Sequence, residues 1–262
     1  MITSARNPRI QSIRDLLAHP KARREMQAFV VEGVRLAEEA LQSGWDAQCV
    51  LHTDDLPPRG QAVVQGFAAR GATTEVIAPQ VLKAISATET PQGILAVLHM
   101  RSLPMPPALD FVLILDGLRD PGNMGTILRT AAAAGVQVVL LPRGATDPFA
   151  PKVVRSGMGA HFRLPVHTLS WEDIHSCVKP SGEGASLTVY LAVSSGGSEY
   201  TQANFHSPLA LIVGGEAEGA GVEAQSLADA RLHISMPGEA ESLNAAIAAA
   251  ILMFEVVRQR VR

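Results

Sequence analysis

Four short runs of Val, Leu and Ile in the second half of the chain constrain its fold most. They read "FVLILD", "VQVVLLP", "LTVYLAV" and "LALIVGG", and helix-like segments separate them. Because each run is apolar throughout rather than alternating, both of its faces should be buried, as in a parallel sheet flanked by helices. The sequence therefore predicts an α/β domain whose ligand site lies where these strands end.

A proline-rich segment, "RSLPMPPALD", precedes the first of these runs. Three prolines within four residues prevent a helix and disfavour a strand. We therefore predict two domains, residues 1–104 and residues 105–262. Strand-like and helix-like runs also alternate before the break, which predicts that the first domain is a smaller α/β unit.

The charge of the chain is unevenly distributed. The net charge is −3, but the first 24 residues alone carry +5, so the remainder carries −8. A basic arm on an acidic body indicates a polyanionic partner, although a solvated helix face would have the same composition. The basic residues concerned are Arg6, Arg9, Lys21, Arg23 and Arg24, together with Arg14.

Several other classes of protein are not indicated. The two cysteines and eight histidines have no metal-ligand or redox spacing, so we predict no metal site. The longest apolar run, "AAIAAAILMF", is too short to span a bilayer. The first residues contain no apolar stretch of signal-peptide length, so we expect no membrane association and a cytoplasmic location.

The segment "DGLRDPGNMGTILRTAAAAGV" follows the first strand and contains neither glycine pattern typical of a nucleotide-phosphate loop. A helix that begins near Gly122 would place Arg129 on a face cleared of bulk by small residues. The opposite face, which should pack on the sheet, holds Met124, Ile127, Leu128 and Ala131. The alternatives are a surface salt bridge for Arg129 and a helix N-cap for Asn123.

Two further segments follow later strands. "LIVGGEAEGAG" places Gly214, Gly215 and Glu216 directly after a strand. "ISMPGEAESLNAAIAAA" places Ser242 and Asn244 at the start of the last helix. We expect Ser242 to cap that helix and also to lie in the site.

Taken together, these three segments resemble the motifs of the SpoU/TrmH-type RNA 2′-O-ribose methyltransferases of the SPOUT superfamily. Motif one matches as Asn123, Gly125 and Arg129, and motif two as Gly214 and Glu216, with Ala217 where a glycine is common. Motif three matches as Ile234, Met236, Gly238, Ser242, Leu243 and Asn244. The segments "FVVEGVRLAEEAL" and "TPQGILAVL" resemble the substrate-binding domain of the family.

The resemblance implies a fold, a cofactor and a substrate. The C-terminal stretch, from about residue 209, would form a trefoil knot around a pocket for S-adenosylmethionine (SAM). Backbone groups at Ala192, Gly214, Ile234 and Leu243 would contact SAM. Ribosomal RNA is preferred over tRNA as the substrate, and the RNA phosphates would contact Arg6, Arg9, Lys21, Arg23 and Arg24.

The resemblance also implies catalytic roles. The family assigns activation of the ribose hydroxyl to the motif-one arginine, Arg129 here. Because a guanidinium stays protonated, we expect Arg129 to bind the neighbouring phosphate and to stabilise the developing alkoxide. The residues expected to orient Arg129 and the ribose are Asn123, Glu216, Ser242 and Asn244.

Two alanine-rich helices, "RTAAAAG" and "NAAIAAAIL", form a dimer interface in the resembled family, so we predict a homodimer. We expect Ala245 and Ala249 to face the partner copy. The sheet of the same domain should bury Leu243, Ile247, Ile251 and Phe254. Two alternative functions remain open: methylation of tRNA, at a ribose or a base nitrogen, and RNA binding without catalysis.

Overall fold

The computed structural model describes residues 1–180, 186–215, 219–238 and 241–261. The helices are α1 (Pro8–Ala18), α2 (Pro20–Met26), α3 (Val34–Gln42), α4 (Pro58–Ala69), α5 (Pro79–Ile85), α6 (Pro121–Ala134), α7 (Pro151–Gly157), α8 (Trp171–Val178), α9 (Val222–Leu227) and α10 (Ala245–Arg260). The strands are β1 (Ala28–Glu32), β2 (Ala47–His52), β3 (Thr73–Val76), β4 (Ile94–His99), β5 (Phe111–Asp116), β6 (Val138–Pro142), β7 (Val166–Leu169), β8 (Thr188–Ala192), β9 (Ser198–Glu199), β10 (Leu209–Gly214) and β11 (Ala230–His233). None of the helices in these ranges is long and apolar enough to cross a membrane.

The chain divides into two compact units. One contains Met1–Arg101 and Phe149–Phe162, and the other contains Ser102–Pro148 and Arg163–Arg262. Residues 149–162 were expected in the second domain, but they pack with the first unit. The physical reason is apolar burial: α7 contacts β1, and the Phe149 ring lies 4.8 Å from that of Phe29.

The first unit has a four-stranded sheet in the order β1-β4-β2-β3. Strand β4 is antiparallel to both β1 and β2, whereas β2 and β3 are parallel. The N-terminal segment forms two helices rather than an extended arm. Helix α1 buries Ile10, Ile13 and Leu16 in the core of this unit, because these side chains recur once per helical turn.

The second unit has a parallel sheet in the order β7-β6-β5-β10-β8-β11-β9. The four apolar runs form β5, β6, β8 and β10, so the predicted parallel sheet is confirmed. Their side chains are largely buried on both faces. The neighbouring strands are in register at their ends, with Asp116 beside Gly214 and Ala192 beside Val213.

Helix α10 packs against α6 and β10. The face that packs is the alanine-rich face, which is opposite to the one that we predicted. Ala245 and Ala249 are buried within their own unit, and Ala249 has no exposed surface. In contrast, Ile247 is 51% and Phe254 is 48% exposed. Small alanine side chains let the first half of α10 approach its neighbours closely, and Ile247 and Phe254 lie on the outer face.

The end of α10 is tied to the segment that precedes β10. The Gln259 side chain accepts a hydrogen bond from Phe205 N (2.9 Å) and donates one to Ala203 O (3.0 Å). The Arg260 guanidinium donates to Phe205 O (2.7 Å) and pairs with Asp110. These bonds hold α10 against the sheet at the end opposite to the motif-three segment.

Candidate active site

The predicted cofactor residues lie at one edge of the parallel sheet. Ala192 ends β8, Gly214 ends β10, and Ile234 directly follows β11. Because β10, β8 and β11 are neighbours in that order, these three strand ends are adjacent. Leu243 lies just before α10 and is 36% exposed. The sheet thus brings the ends of motifs two and three to the edge where ligands bind in parallel α/β folds.

Helix α6 carries the motif-one residues. It begins one residue earlier than predicted, at Pro121, because the Asp120 side chain caps it and accepts a hydrogen bond from Asn123 N (2.8 Å). Asn123 therefore lies in the first turn and is not the cap. The predicted faces are confirmed: Thr126, Arg129 and Ala133 are exposed. The residues predicted to face the sheet are all buried, namely Met124, Ile127, Leu128 and Ala131.

Arg129 lies on the exposed face of α6. No hydrogen bond or ion pair joins its guanidinium to another residue within the described ranges. The alternative of a helix salt bridge therefore has no support in this part of the chain. An exposed guanidinium is suited to bind a phosphate from solution, since it presents a planar set of N–H donors.

Asn123 and Asn244 connect motif one to motif three. The Asn244 side chain donates from Nδ2 to Asn123 Oδ1 over 3.0 Å, although the two residues are 121 positions apart. The Oδ1 of Asn244 accepts from Ala246 N (2.9 Å) and Ile247 N (3.3 Å), so the same amide caps α10. One side chain thereby sets the start of α10 relative to the first turn of α6.

The other predicted catalytic residues are placed differently. Ser242 is exposed and lies two residues before the cap, so the prediction that it caps α10 is wrong. An asparagine at position 244 accepts two backbone hydrogen bonds, and this fixes the helix start two residues later. Glu216 and the adjacent Ala217 lie outside the described residues.

Two residues near this edge were not predicted as site residues, although motif one was expected to follow a strand that ends in Asp. Asp116 ends β5 and accepts a hydrogen bond from Gly221 N over 2.7 Å. Thr146 donates to Leu118 O over 2.6 Å and so holds the loop between β5 and α6. The sequence signals were the single acidic residue that ends the apolar strand and a threonine in the loop after the next strand.

The basic N-terminal residues are divided between structural and exposed roles. Arg23 is only 2% exposed, and its guanidinium donates to Leu16 O at the end of α1. The prediction that Arg23 contacts RNA is therefore wrong, because its donors satisfy carbonyls that the helix leaves unpaired. Arg9 pairs with Glu75, and Lys21 lies 3.7 Å from Glu25. Arg6 and Arg24 are exposed.

The described residues at this sheet edge offer backbone groups and side-chain amides rather than a nucleophile. Both cysteines lie elsewhere: Cys49 is buried in the first unit, and Cys177 is on α8. Burial raises the pKa of each thiol, which keeps both protonated near neutral pH. The described residues contain no group of three His, Cys, Asp or Glu side chains that could hold a metal ion.

Comparisons with known proteins match both parts of the chain. Residues 110–254 match the SpoU rRNA Methylase family, and residues 7–96 match the MRM3-like substrate binding domain.

The chain belongs to the SpoU rRNA methylase family.

Two relatives and one solved structure match over nearly their full length. The chain is 36% identical over 259 residues to the 23S rRNA (guanosine(2553)-2′-O)-methyltransferase RlmP of Bacillus subtilis, covering 97% of this chain and 98% of the relative. It is 32% identical to the 23S rRNA (uridine(2479)-2′-O)-methyltransferase of Streptomyces viridochromogenes, covering 98% and 92%. The crystal structure of an AdoMet-bound rRNA methyltransferase from Sinorhizobium meliloti has a TM-score of 0.87 and 33% identity, covering 98% and 97%.

The link between Asn123 and Asn244 makes a testable prediction about stability. Asn244→Ser keeps a good cap for α10 but removes the donor to Asn123, and Asn123→Ala removes the acceptor. In denaturant unfolding, the double variant should lose less free energy than the two single losses combined, with a coupling of about 0.5–1.5 kcal/mol.

The matched control combines Asn123→Ala with Asn7→Ser, because Asn7 caps α1 in the other unit. The effects of this pair on the free energy of unfolding should add. Additive effects for Asn123 and Asn244 as well would show that the hydrogen bond contributes nothing.

Proposed function

We propose that this chain is a SAM-dependent methyltransferase that methylates a ribose 2′-hydroxyl of ribosomal RNA. The observation that carries the proposal is the hydrogen bond between Asn123 and Asn244, which joins α6, with the exposed Arg129, to the start of α10. The Bacillus subtilis and Streptomyces viridochromogenes relatives, named as 23S rRNA 2′-O-methyltransferases, support the same activity.

The residues at the strand ends fit SAM as the cofactor. Ala192 and Gly214 are small residues. At Gly214 a Cβ atom would lie 2.6 Å from Ala220 N, so the backbone is closely packed there and no side chain separates it from a ligand. Backbone groups of Ala192, Gly214, Ile234 and Leu243 would hold the adenosine and methionine parts by hydrogen bonds and apolar contact. When bound, SAM would supply a methyl group on a positively charged sulfur: the ribose oxygen would bond to the methyl carbon in line with the breaking carbon–sulfur bond, the neutral thioether would leave, and the hydroxyl proton would pass to water.

Arg129 is proposed to act on the RNA rather than as a base. A guanidinium presents N–H donors and no acceptor, so Arg129 is not assigned the hydroxyl proton. It instead binds the phosphate beside the target ribose and stabilises the negative charge that develops on the 2′-oxygen. Asn123 and Asn244 position the start of both helices, and Glu216 and Ser242 complete the proposed set of orienting residues.

Replacing Arg129 tests this role. We expect Arg129→Ala to abolish methyl transfer to RNA while the SAM affinity stays within a few-fold of wild type. Arg129→Lys should also fail, because a compact ammonium cannot reproduce the planar donors of a guanidinium. Methyl incorporation measured by mass spectrometry and SAM binding measured by calorimetry separate the two effects.

The matched control is Arg231→Ala, because Arg231 is an exposed arginine of the same unit on β11. This variant should transfer methyl groups at the wild-type rate. Substantial turnover by Arg129→Ala would remove Arg129 from the mechanism.

The N-terminal segment, residues 1–26, is proposed to bind RNA through its exposed basic side chains, Arg6 and Arg24, together with the surface residues Arg9 and Lys21. Arg6→Gln with Arg24→Gln should weaken RNA binding and lower the slope of log K against log salt by about 0.7–0.9 for each phosphate that is no longer neutralised. The affinity is measured by fluorescence anisotropy at several salt concentrations.

A second double variant controls for net charge. Arg59→Gln with Arg70→Gln removes the same charge from exposed positions of the same unit and should leave the slope unchanged. Equal slopes in the two double variants would show that the basic N-terminal surface is a solvated helix face that makes no specific contact with RNA phosphates.

A homodimer is proposed on the outer face of α10. This face exposes Ile247 and Phe254, and it continues through Leu243 and the half-buried Ile251. A contiguous apolar surface of this kind is unusual on a monomer, and a two-fold axis would let it pack on its own copy. In this proposal Ile247 and Phe254 are the contact residues in place of Ala245 and Ala249, because both alanines are buried within one chain.

Charged substitutions on this face test the dimer. Ile247→Glu and Phe254→Glu should each convert the protein to a monomer in light scattering and lower its activity, because a carboxylate would be buried at the interface. Met26→Glu, at an exposed apolar position of the first unit, should leave the oligomeric state unchanged. A wild-type chain that is an active monomer at working concentrations contradicts the proposal.

The knot is a further part of the proposal. Strand β10 comes late in the chain but lies between β5 and β8, and α10 returns to pack on α6. This order supports threading of the stretch that begins at about residue 209, as in the SPOUT superfamily. Such threading is a rare exception to ordinary chain topology.

A further inference from the structure

We propose that Asp116 is a positioning residue that holds Gly221, and through it Gly214 and Gly215 at the end of β10, in the arrangement that binds SAM. The inference rests on the proposed function, because SAM is the ligand that Gly214 would contact. Asp116 is the last residue of β5 and lies in register with Gly214, the last residue of β10. Its Oδ2 accepts a hydrogen bond from Gly221 N over 2.7 Å.

The loop after β10 is closed at its base by its own backbone. Gly215 and Gly219 exchange two hydrogen bonds of 3.2 Å each, which hold these two glycines together. Beyond Gly219 the chain reaches Gly221, which precedes α9. The bond to Asp116 therefore joins Gly221, after the loop, to the end of the neighbouring strand β5. The residue before the loop needs no such bond, because Gly214 is already part of β10.

Close backbone packing explains why this tie is sensitive. A Cβ at Gly215 would clash with the carbonyl oxygen of Gly117, the residue that follows Asp116. A Cβ at Gly214 would lie 2.6 Å from both Ala220 N and the carbonyl carbon of Gly219. Backbone thus packs directly on backbone, and no flexible side chain lies between the two segments. A small shift at Gly221 would therefore move Gly214 and its neighbours.

The carboxylate is suited to this role. A hydrogen bond from a backbone N–H to an ionised carboxylate is shorter and stronger than one between neutral groups. It joins two segments that are 105 residues apart, one leading to Arg129 and one carrying Gly214. Asp116 acts through the loop and does not itself touch the reacting atoms, so a defect should appear in SAM binding rather than in the chemical step.

The test compares SAM binding with turnover in two variants of Asp116. Asp116→Ala should raise the Kd and the KM for SAM by about tenfold, the effect of one charge-assisted hydrogen bond. The kcat at saturating SAM should stay within a few-fold of wild type. Asp116→Asn should restore most of the affinity, since its amide oxygen can still accept from Gly221 N.

A second variant removes the other partner of the bond. Gly221→Pro breaks the bond from the other side, because it eliminates the N–H donor and places a ring carbon against the Asp116 carboxylate, and the φ of −67° at this position suits proline. It should raise the Kd for SAM by a similar factor, and combining it with Asp116→Ala should add little. This variant also keeps the proposal testable if Asp116→Ala does not fold.

The matched control is Asp229→Ala. Asp229 accepts a hydrogen bond from Val189 N over 2.7 Å in the same sheet, at the start of β8 rather than its end. This variant should lower the melting temperature but leave the Kd for SAM within about twofold, because no cofactor contact depends on it.

The outcomes distinguish this proposal from the proposed function. An unchanged Kd in Asp116→Ala, or an equal rise in Asp229→Ala at a matched loss of stability, would overturn the role of Asp116. A wild-type chain that binds SAM but methylates no RNA would overturn only the proposed function. A wild-type chain that binds no SAM would contradict both.

Discussion

The position of β10 between β5 and β8 is the constraint on which the candidate site depends. It places the ends of three strands side by side, with Asp116, Gly214 and Ala192 at one edge of the sheet. Backbone packing at the glycines leaves little freedom there. The last helix then returns to α6, where the Asn244 amide both caps α10 and bonds to Asn123. Each motif is therefore held by contacts with another motif far away in the chain.

The chemistry of the site follows from what this arrangement leaves exposed. The described part of the edge presents amides and backbone groups, α6 carries the exposed Arg129 guanidinium, and both thiols are elsewhere and protonated. Such a site can orient a hydroxyl, bind a phosphate and stabilise developing charge, but it offers no nucleophile of its own. Methyl transfer from a bound sulfonium to a ribose oxygen requires this kind of positioning.

The sequence predicted those elements whose burial follows from the local run or spacing of apolar residues. The continuous apolar runs identified β5, β6, β8 and β10, and helical spacing identified the exposed face of α6. The four shortest strands, β3, β7, β9 and β11, lack a buried apolar run and were missed. Helix α1 was missed because basic residues interrupt the spacing of its buried side chains.

Contacts between distant residues explain the remaining differences. Helix α10 is apolar on nearly every side, so its sequence did not reveal which face packs on α6. Ser242 and Asn244 are both good caps, and only the folded chain selects between them. The burial of Arg23 also depends on its contact with the end of α1. The motifs alone identified the family but did not identify the hydrogen bonds that hold the motifs together.

Mapping the transferred methyl group tests the central claim most directly. The purified wild-type chain is incubated with ribosomal RNA and isotope-labelled SAM, and the RNA is then cleaved with alkali and digested to nucleosides. The account predicts one site that resists alkaline cleavage, with the label on a 2′-O-methyl nucleoside, because a methylated 2′-oxygen cannot attack the adjacent phosphate. Label on a base, or no label in RNA from a chain that binds SAM, would contradict it.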